Sequence, residues 1–93
     1  MDKPQDMTDP SLLEFPCRFP IKVMGRAHAD LEAEIVALVR EHAPDLAEED
    51  VRTRASDKGN YQAITLTVNA TSREQLDAIY LALNAHESVV MTL

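Results

Sequence analysis

Three features of the sequence predict an α+β domain. Three short stretches alternate apolar and polar residues with the period of a half-buried strand, a fourth closes the chain at Val89 to Leu93, and two longer ones repeat apolar residues three and four apart, as an amphipathic helix does. One glycine-containing turn, Asp57-Lys58-Gly59-Asn60, joins two of the strands. The resulting order is β-α-β-β-α-β. Right-handed crossovers fold such a chain into a four-stranded antiparallel sheet, strands ordered four, one, three, two, with both helices on one face: a ferredoxin-like sandwich.

Residues 1–11 are rich in Asp, Pro, Gln and Thr and have little to bury, so they are expected to form a flexible arm, with a single domain over 12–93. Leu12 to Phe15 suit one helical turn packed on the body, and Pro16 and Pro20 favour an extended entry to the first strand. Phe19, Ile21 and Val23 alternate with Pro20, Lys22 and Met24 to make that strand, and Gly25 is expected to end it. Asp30 marks the start of a helix whose stripe is Leu31, Ile35, Leu38 and His42, widened by Val36 and Val39 and stopped by Pro44. Asp45 to Asp50 reads as a charged connection.

Val51, Thr53 and Ala55 alternate with Arg52, Arg54 and Ser56 in a second strand, whose charges suit a sheet edge. Gly59 supplies the positive φ of the turn, and Ile64, Leu66 and Val68 then alternate with Thr65, Thr67 and Asn69 in strand three. Thr71 with Glu74 has the spacing of a capping box. The helix that follows, from Ser72 to about Ala85, aligns Leu76, Ile79, Tyr80 and Leu83, and Val89 to Leu93 closes the fold. Met91 is expected in the core with the apolar residues above.

A formal charge of −7 opposes nucleic-acid and membrane-surface binding, both of which need Lys and Arg against an anion. The single Cys17 has no internal disulfide partner, and the opening residues hold no apolar signal-like run, which together suit a cytoplasmic protein.

Leu12-Leu13-Glu14-Phe15-Pro16, Ile21-Lys22-Val23-Met24-Gly25, His42-Ala43-Pro44, Ser56-Asp57-Lys58-Gly59-Asn60-Tyr61 and Asn69-Ala70-Thr71 resemble the bacterial YbeD family of small proteins, a match running from about Leu12 to Leu93. The resemblance implies a cytosolic ferredoxin-like domain similar to the ACT-type modules that bind amino acids or other small effectors. It implies no established reaction. Members are often encoded near lipoyl or octanoyl transfer functions, which implies a link to lipoate metabolism.

No set of residues carries a catalytic signature, and no enzymatic role is expected. His28, His42 and His86 fall in three elements without metal-ligand spacing, so neither a metal nor another cofactor is expected. Cys17 reads as a packed small residue. Lys58-Gly59-Asn60-Tyr61 echoes an RNA-recognition strand, but Gln62 and Thr65 replace its stacking aromatics.

Two candidate sites remain. The turn at Gly25, Arg26 and His28 would let backbone N–H groups approach a small effector, as in ACT-like modules. The sheet face away from the helices would gather Lys22, Arg52, Arg54, Tyr61, Thr65 and Thr67, a basic and hydroxyl-rich patch on an acidic protein. The expected function is therefore a regulatory or adaptor domain that binds a small effector or a protein partner. The alternative is a ligand-free interaction or dimerisation module, including a homodimer.

Overall fold

A computed structural model describes residues 14–56 and 58–93; the arm over 1–11, the Leu12-Leu13 start of the expected helical turn and Asp57 lie outside the described residues. The elements are β1 (Cys17–Arg26), α1 (Leu31–Arg40), a 3-10 turn over Glu48–Asp50, β2 (Val51–Ala55), β3 (Tyr61–Ala70), α2 (Arg73–Ala85) and β4 (Val89–Thr92). The antiparallel sheet has the order β2-β3-β1-β4, which is the expected topology, with β2 at one edge and β4 at the other.

Alternation places Ile21 and Val23 of β1 and Ile64, Leu66 and Val68 of β3 on the inner face. There they meet Leu31, Ile35 and Val39 of α1 and Leu76, Ile79 and Leu83 of α2, all of them fully or almost fully buried. Each such side chain contributes roughly 1.5–3 kcal/mol of transfer free energy.

β1 is longer than the alternation from Phe19 to Met24 suggests. Gly25 does not end the strand; it pairs with Gln62 on one side and Val89 on the other, and Arg26 continues to Tyr61. Pro20 is accommodated because its side of β1 is open. The Lys22 N–H faces the β4 side, where it donates to the Leu93 carbonyl, and Pro20, two residues earlier, presents its missing donor to the same side beyond the reach of β4. Cys17 is half-buried at the start of β1 and packs against the core.

Several other boundaries move. α1 stops at Arg40, four residues before Pro44; Ala43 is buried just past its end, and Leu46 is buried within what reads in sequence as a charged connection. Leu38 and Val51 are only partly buried. Met91 is not a core residue: it is 48% exposed, because a bulge beside Met24 and Gly25 leaves Val90 as the extra residue and places Met91 opposite Met24 on the outer face. The N-cap of α2 is Ser72, whose hydroxyl accepts from the Gln75 N–H at 3.0 Å, and Gln75 Oε1 in turn accepts from the Thr71 N–H at 2.7 Å. The cap therefore sits one residue later than Thr71, and Gln75 in place of Glu74 reaches back past it to the Thr71 N–H. Asp30 occupies the N-cap position of α1 without a side-chain capping bond.

Candidate functional site

The register assembles the outer face of the sheet row by row. Cross-strand partners share a face, so Arg52, Thr65 and Lys22 lie in one row across β2, β3 and β1, and Leu93 extends it through reciprocal backbone bonds with Lys22. The next row is Arg54, Ala63, Met24 and Met91; beyond it Tyr61 pairs with Arg26, and in the other direction Pro20 pairs with Thr67 and Arg18 with Asn69. The six residues expected on this face, Lys22, Arg52, Arg54, Tyr61, Thr65 and Thr67, are thus all brought together.

None of the sixteen acidic residues falls within β1 to β4, whereas five of the nine Lys and Arg do: Arg18, Lys22, Arg26, Arg52 and Arg54. Two of these five are engaged. Arg18 bridges Asp50 and donates to Asn69 Oδ1, while Asn69 donates onward to Asp45. The Arg18 hydrogen bond, followed by that from the Ala47 N–H, holds the Asp50 carboxyl below its ordinary value of 3.8. Arg26 donates to the Glu87 carbonyl at 3.0 Å. Lys22, Arg52 and Arg54 have no acidic partner among the described residues.

This face also carries apolar surface that the basic pattern concealed. Met24 is 38% exposed, Met91 48% and Leu93 71%, and the three are contiguous along the β1–β4 side. The outer face therefore divides lengthwise into a cationic side on β2 and an apolar side on β4, with Lys22 and Met24 between them.

The second candidate changes character. Gly25, Arg26 and His28 do not form a strand-to-helix turn, since Gly25 and Arg26 belong to β1 and only His28 lies in the connection. Gly25 is needed for close packing: a Cβ there would stand 2.9 Å from the Ser88 carbonyl oxygen and 3.1 Å from a Leu31 methyl. The space in the direction of that Cβ is taken by Ser88 and Leu31.

His28 and His86, far apart in sequence, converge on one carboxylate. His86 Nε2 lies 2.9 Å and His28 Nε2 3.9 Å from Glu34 Oε1, and each Nδ1 accepts a backbone N–H, from Ser88 and Asp30 respectively. With its Nδ1 accepting from Ser88, His86 turns its Nε2 to Glu34, and this contact ties α1 to the end of α2. Sequence spacing gave no sign of it. Among the described residues a shallow cleft on the helical side is lined by Glu32, Ala33, Val36, Arg40, Glu48 and Val51.

The element order and the two layers define an α+β domain with the ferredoxin-like fold. In solved structures the same fold occurs in protein HP0495 from H. pylori (TM-score 0.66, 13% identity, covering 100% of this chain and 97% of that one). It occurs again in the ACT domain from GTP pyrophosphokinase of Chlorobium tepidum (TM-score 0.62, 14% identity, 80% of each chain). By sequence, residues 10–93 match the family described as protein of unknown function (DUF493). The UPF0250 protein of Chromobacterium violaceum is 56% identical over 88% of this chain and 92% of its own length, and that of Paraburkholderia phytofirmans 51% identical over 89% and 93%. The chain belongs to this DUF493/UPF0250 family, to which the YbeD resemblance pointed.

Proposed function

We propose that this chain is a small non-enzymatic regulatory or adaptor domain of the cytosol that engages an anionic partner on its open sheet face. One observation carries the reading: Lys22, Arg52 and Arg54, without an acidic partner among the described residues, stand on a sheet face whose strands contribute no acid, in a protein whose net charge is −7. Local charge opposite in sign to that of the whole molecule orients an approaching partner and fixes its register. The implied link to lipoate metabolism suggests where such a partner would be found, among lipoyl- or octanoyl-handling proteins. A small effector at Gly25 has less support, because Ser88 and Leu31 occupy that space.

The test is a thermal-shift titration with poly-L-glutamate, alongside lipoate, octanoate and amino acids, on the wild type and on the double variant Arg52→Glu, Arg54→Glu. Both positions are exposed, so the variant should fold with a midpoint near that of the wild type. Poly-L-glutamate should stabilise the wild type, less so as salt rises, and leave the variant unmoved. Equal shifts in both proteins, or none in either, would remove the open face as the binding surface.

A further inference from the structure

The split of the open face into an apolar and a cationic side narrows the kind of partner it fits. We infer that the face is a seat for an amphipathic helix of a partner protein, one whose apolar stripe is bordered by Glu and Asp. This rests on the proposed role of the open face and adds the partner's shape and its second chemistry.

The dimensions agree. Neighbouring strands lie about 4.8 Å apart, so the distance from β2 to β4 across β3 and β1 is roughly 14 Å, close to the 10–12 Å width of a helix with its side chains. A helix laid along β1 would set its apolar stripe on Met24, Met91 and Leu93 and its adjoining carboxylates on Lys22, Arg52 and Arg54. Along the strand, Pro20 to Arg26 covers about 20 Å, which about 14 helical residues span. Met24 and Met91 are suited to the apolar role, since unbranched thioethers adapt to the side chains of a partner. Ala63 keeps the middle of the second row low, so a helix could rest there.

Charge selects this occupant over a second copy of the chain. Face-to-face pairing of two copies would set Lys22, Arg52 and Arg54 of each either against the same three residues of the other, where they repel, or on the other's Met24, Met91 and Leu93, where they are buried unpaired, since the strands contribute no acid. An acidic helix meets no such repulsion.

The experiment uses three side-chain-stapled, fluorescein-labelled 16-residue helical peptides, read by anisotropy against the full chain. One carries a Leu stripe beside a Glu stripe, one replaces Leu by Ser, and one replaces Glu by Lys. The Leu/Glu peptide should bind, the Ser/Glu peptide roughly tenfold more weakly for want of buried apolar area, and the Leu/Lys peptide not measurably. Met24→Ser with Met91→Ser should reduce the Leu/Glu peptide to the Ser/Glu level and leave the Ser/Glu peptide unchanged. Equal binding of the Leu/Glu and Ser/Glu peptides would overturn the amphipathic-helix assignment while sparing the basic-face reading. Absence of binding by both Glu peptides would overturn both. A concentration-dependent dimer in sedimentation that Met24→Ser with Met91→Ser dissolves would give the face to a second copy instead.

Discussion

Gly25→Ala isolates one steric requirement of the fold. The added methyl carbon would lie 2.9 Å from the Ser88 carbonyl oxygen, 3.1 Å from Leu31 Cδ2 and 3.4 Å from Leu31 Cδ1. The Leu31 methyls can turn away, but the carbonyl belongs to the backbone entering β4 and already accepts the Arg26 N–H at 2.8 Å. Moving it by a few tenths of an ångström stretches that bond and strains the bulge beside it. Overpacking of this kind costs about 1–3 kcal/mol. The φ of Gly25 is not positive, so alanine fits the backbone, and the lower entropy of the unfolded chain returns about 0.4–1 kcal/mol. At the middle of both ranges the net loss is about 1.3 kcal/mol, which should lower the thermal midpoint of a domain this size by roughly 5–10 °C. Gly59→Ala is the control of opposite kind, with nothing within 4 Å of its Cβ position but a φ of +74°. Its cost, about 1–2 kcal/mol, comes from backbone conformation alone, and Gly59→Asn should recover much of it whereas Gly25→Asn should be worse than Gly25→Ala. The assay is calorimetry or circular dichroism on the four variants. A Gly25→Ala protein melting within about 1 °C of the wild type would refute the argument that this glycine is required by space.

Two further substitutions test the local chemistry. Ser72→Ala should cost about 0.5–2 kcal/mol in urea unfolding and Thr71→Ala clearly less, because Ser72 accepts the capping bond from the Gln75 N–H while the hydroxyl of the exposed Thr71 reaches only the Gln75 side chain; equal losses would contradict the assignment of the cap. For Asp50 the folded pKa lies below the unfolded one, so its contribution is full above about pH 4 and disappears as pH falls through the folded value; the stability deficit of Asp50→Asn should therefore shrink on acidification, and a deficit constant from neutral to strongly acid pH would show that Arg18 and Ala47 do not act through the charge.

What the sequence disclosed and what it hid follow from the range of the interactions. Period-two alternation is a local property, and it placed Lys22, Arg52, Arg54, Tyr61, Thr65 and Thr67 on one face before any pairing was known. Gly25 misleads because a glycine reads locally as a break, whereas the requirement it meets is set by Ser88, sixty-three positions away in the chain. Met91 misleads for a related reason: a bulge adds one residue to β4 without a mark in the sequence, and the alternation of that strand is lost. At Thr71-Ser72 two competent caps stand side by side, and only the first turn of α2, where Gln75 meets His42 as well as Ser72, decides between them. The convergence of His28 and His86 on Glu34 depends on helix packing and has no sequence signal at all.

The shape of the charged face bears on whether its partner is large or small. Sites for small molecules are concave and cover most of the ligand, which lets two or three polar contacts offset the cost of desolvation. The open face is a sheet surface of alternating side chains, whereas a cleft among the described residues lies on the helical side, where Glu32 and Glu48 outnumber Arg40. A small anion on the sheet would meet Lys22 and Arg52 from one side only, with water on the other, where each exposed pair is worth about 1 kcal/mol or less. Such contacts become sufficient when many are made at once along a rigid partner and apolar surface is covered with them. Met24, Met91 and Leu93 beside the cations provide that surface, and they weight the face toward a macromolecular partner over a metabolite.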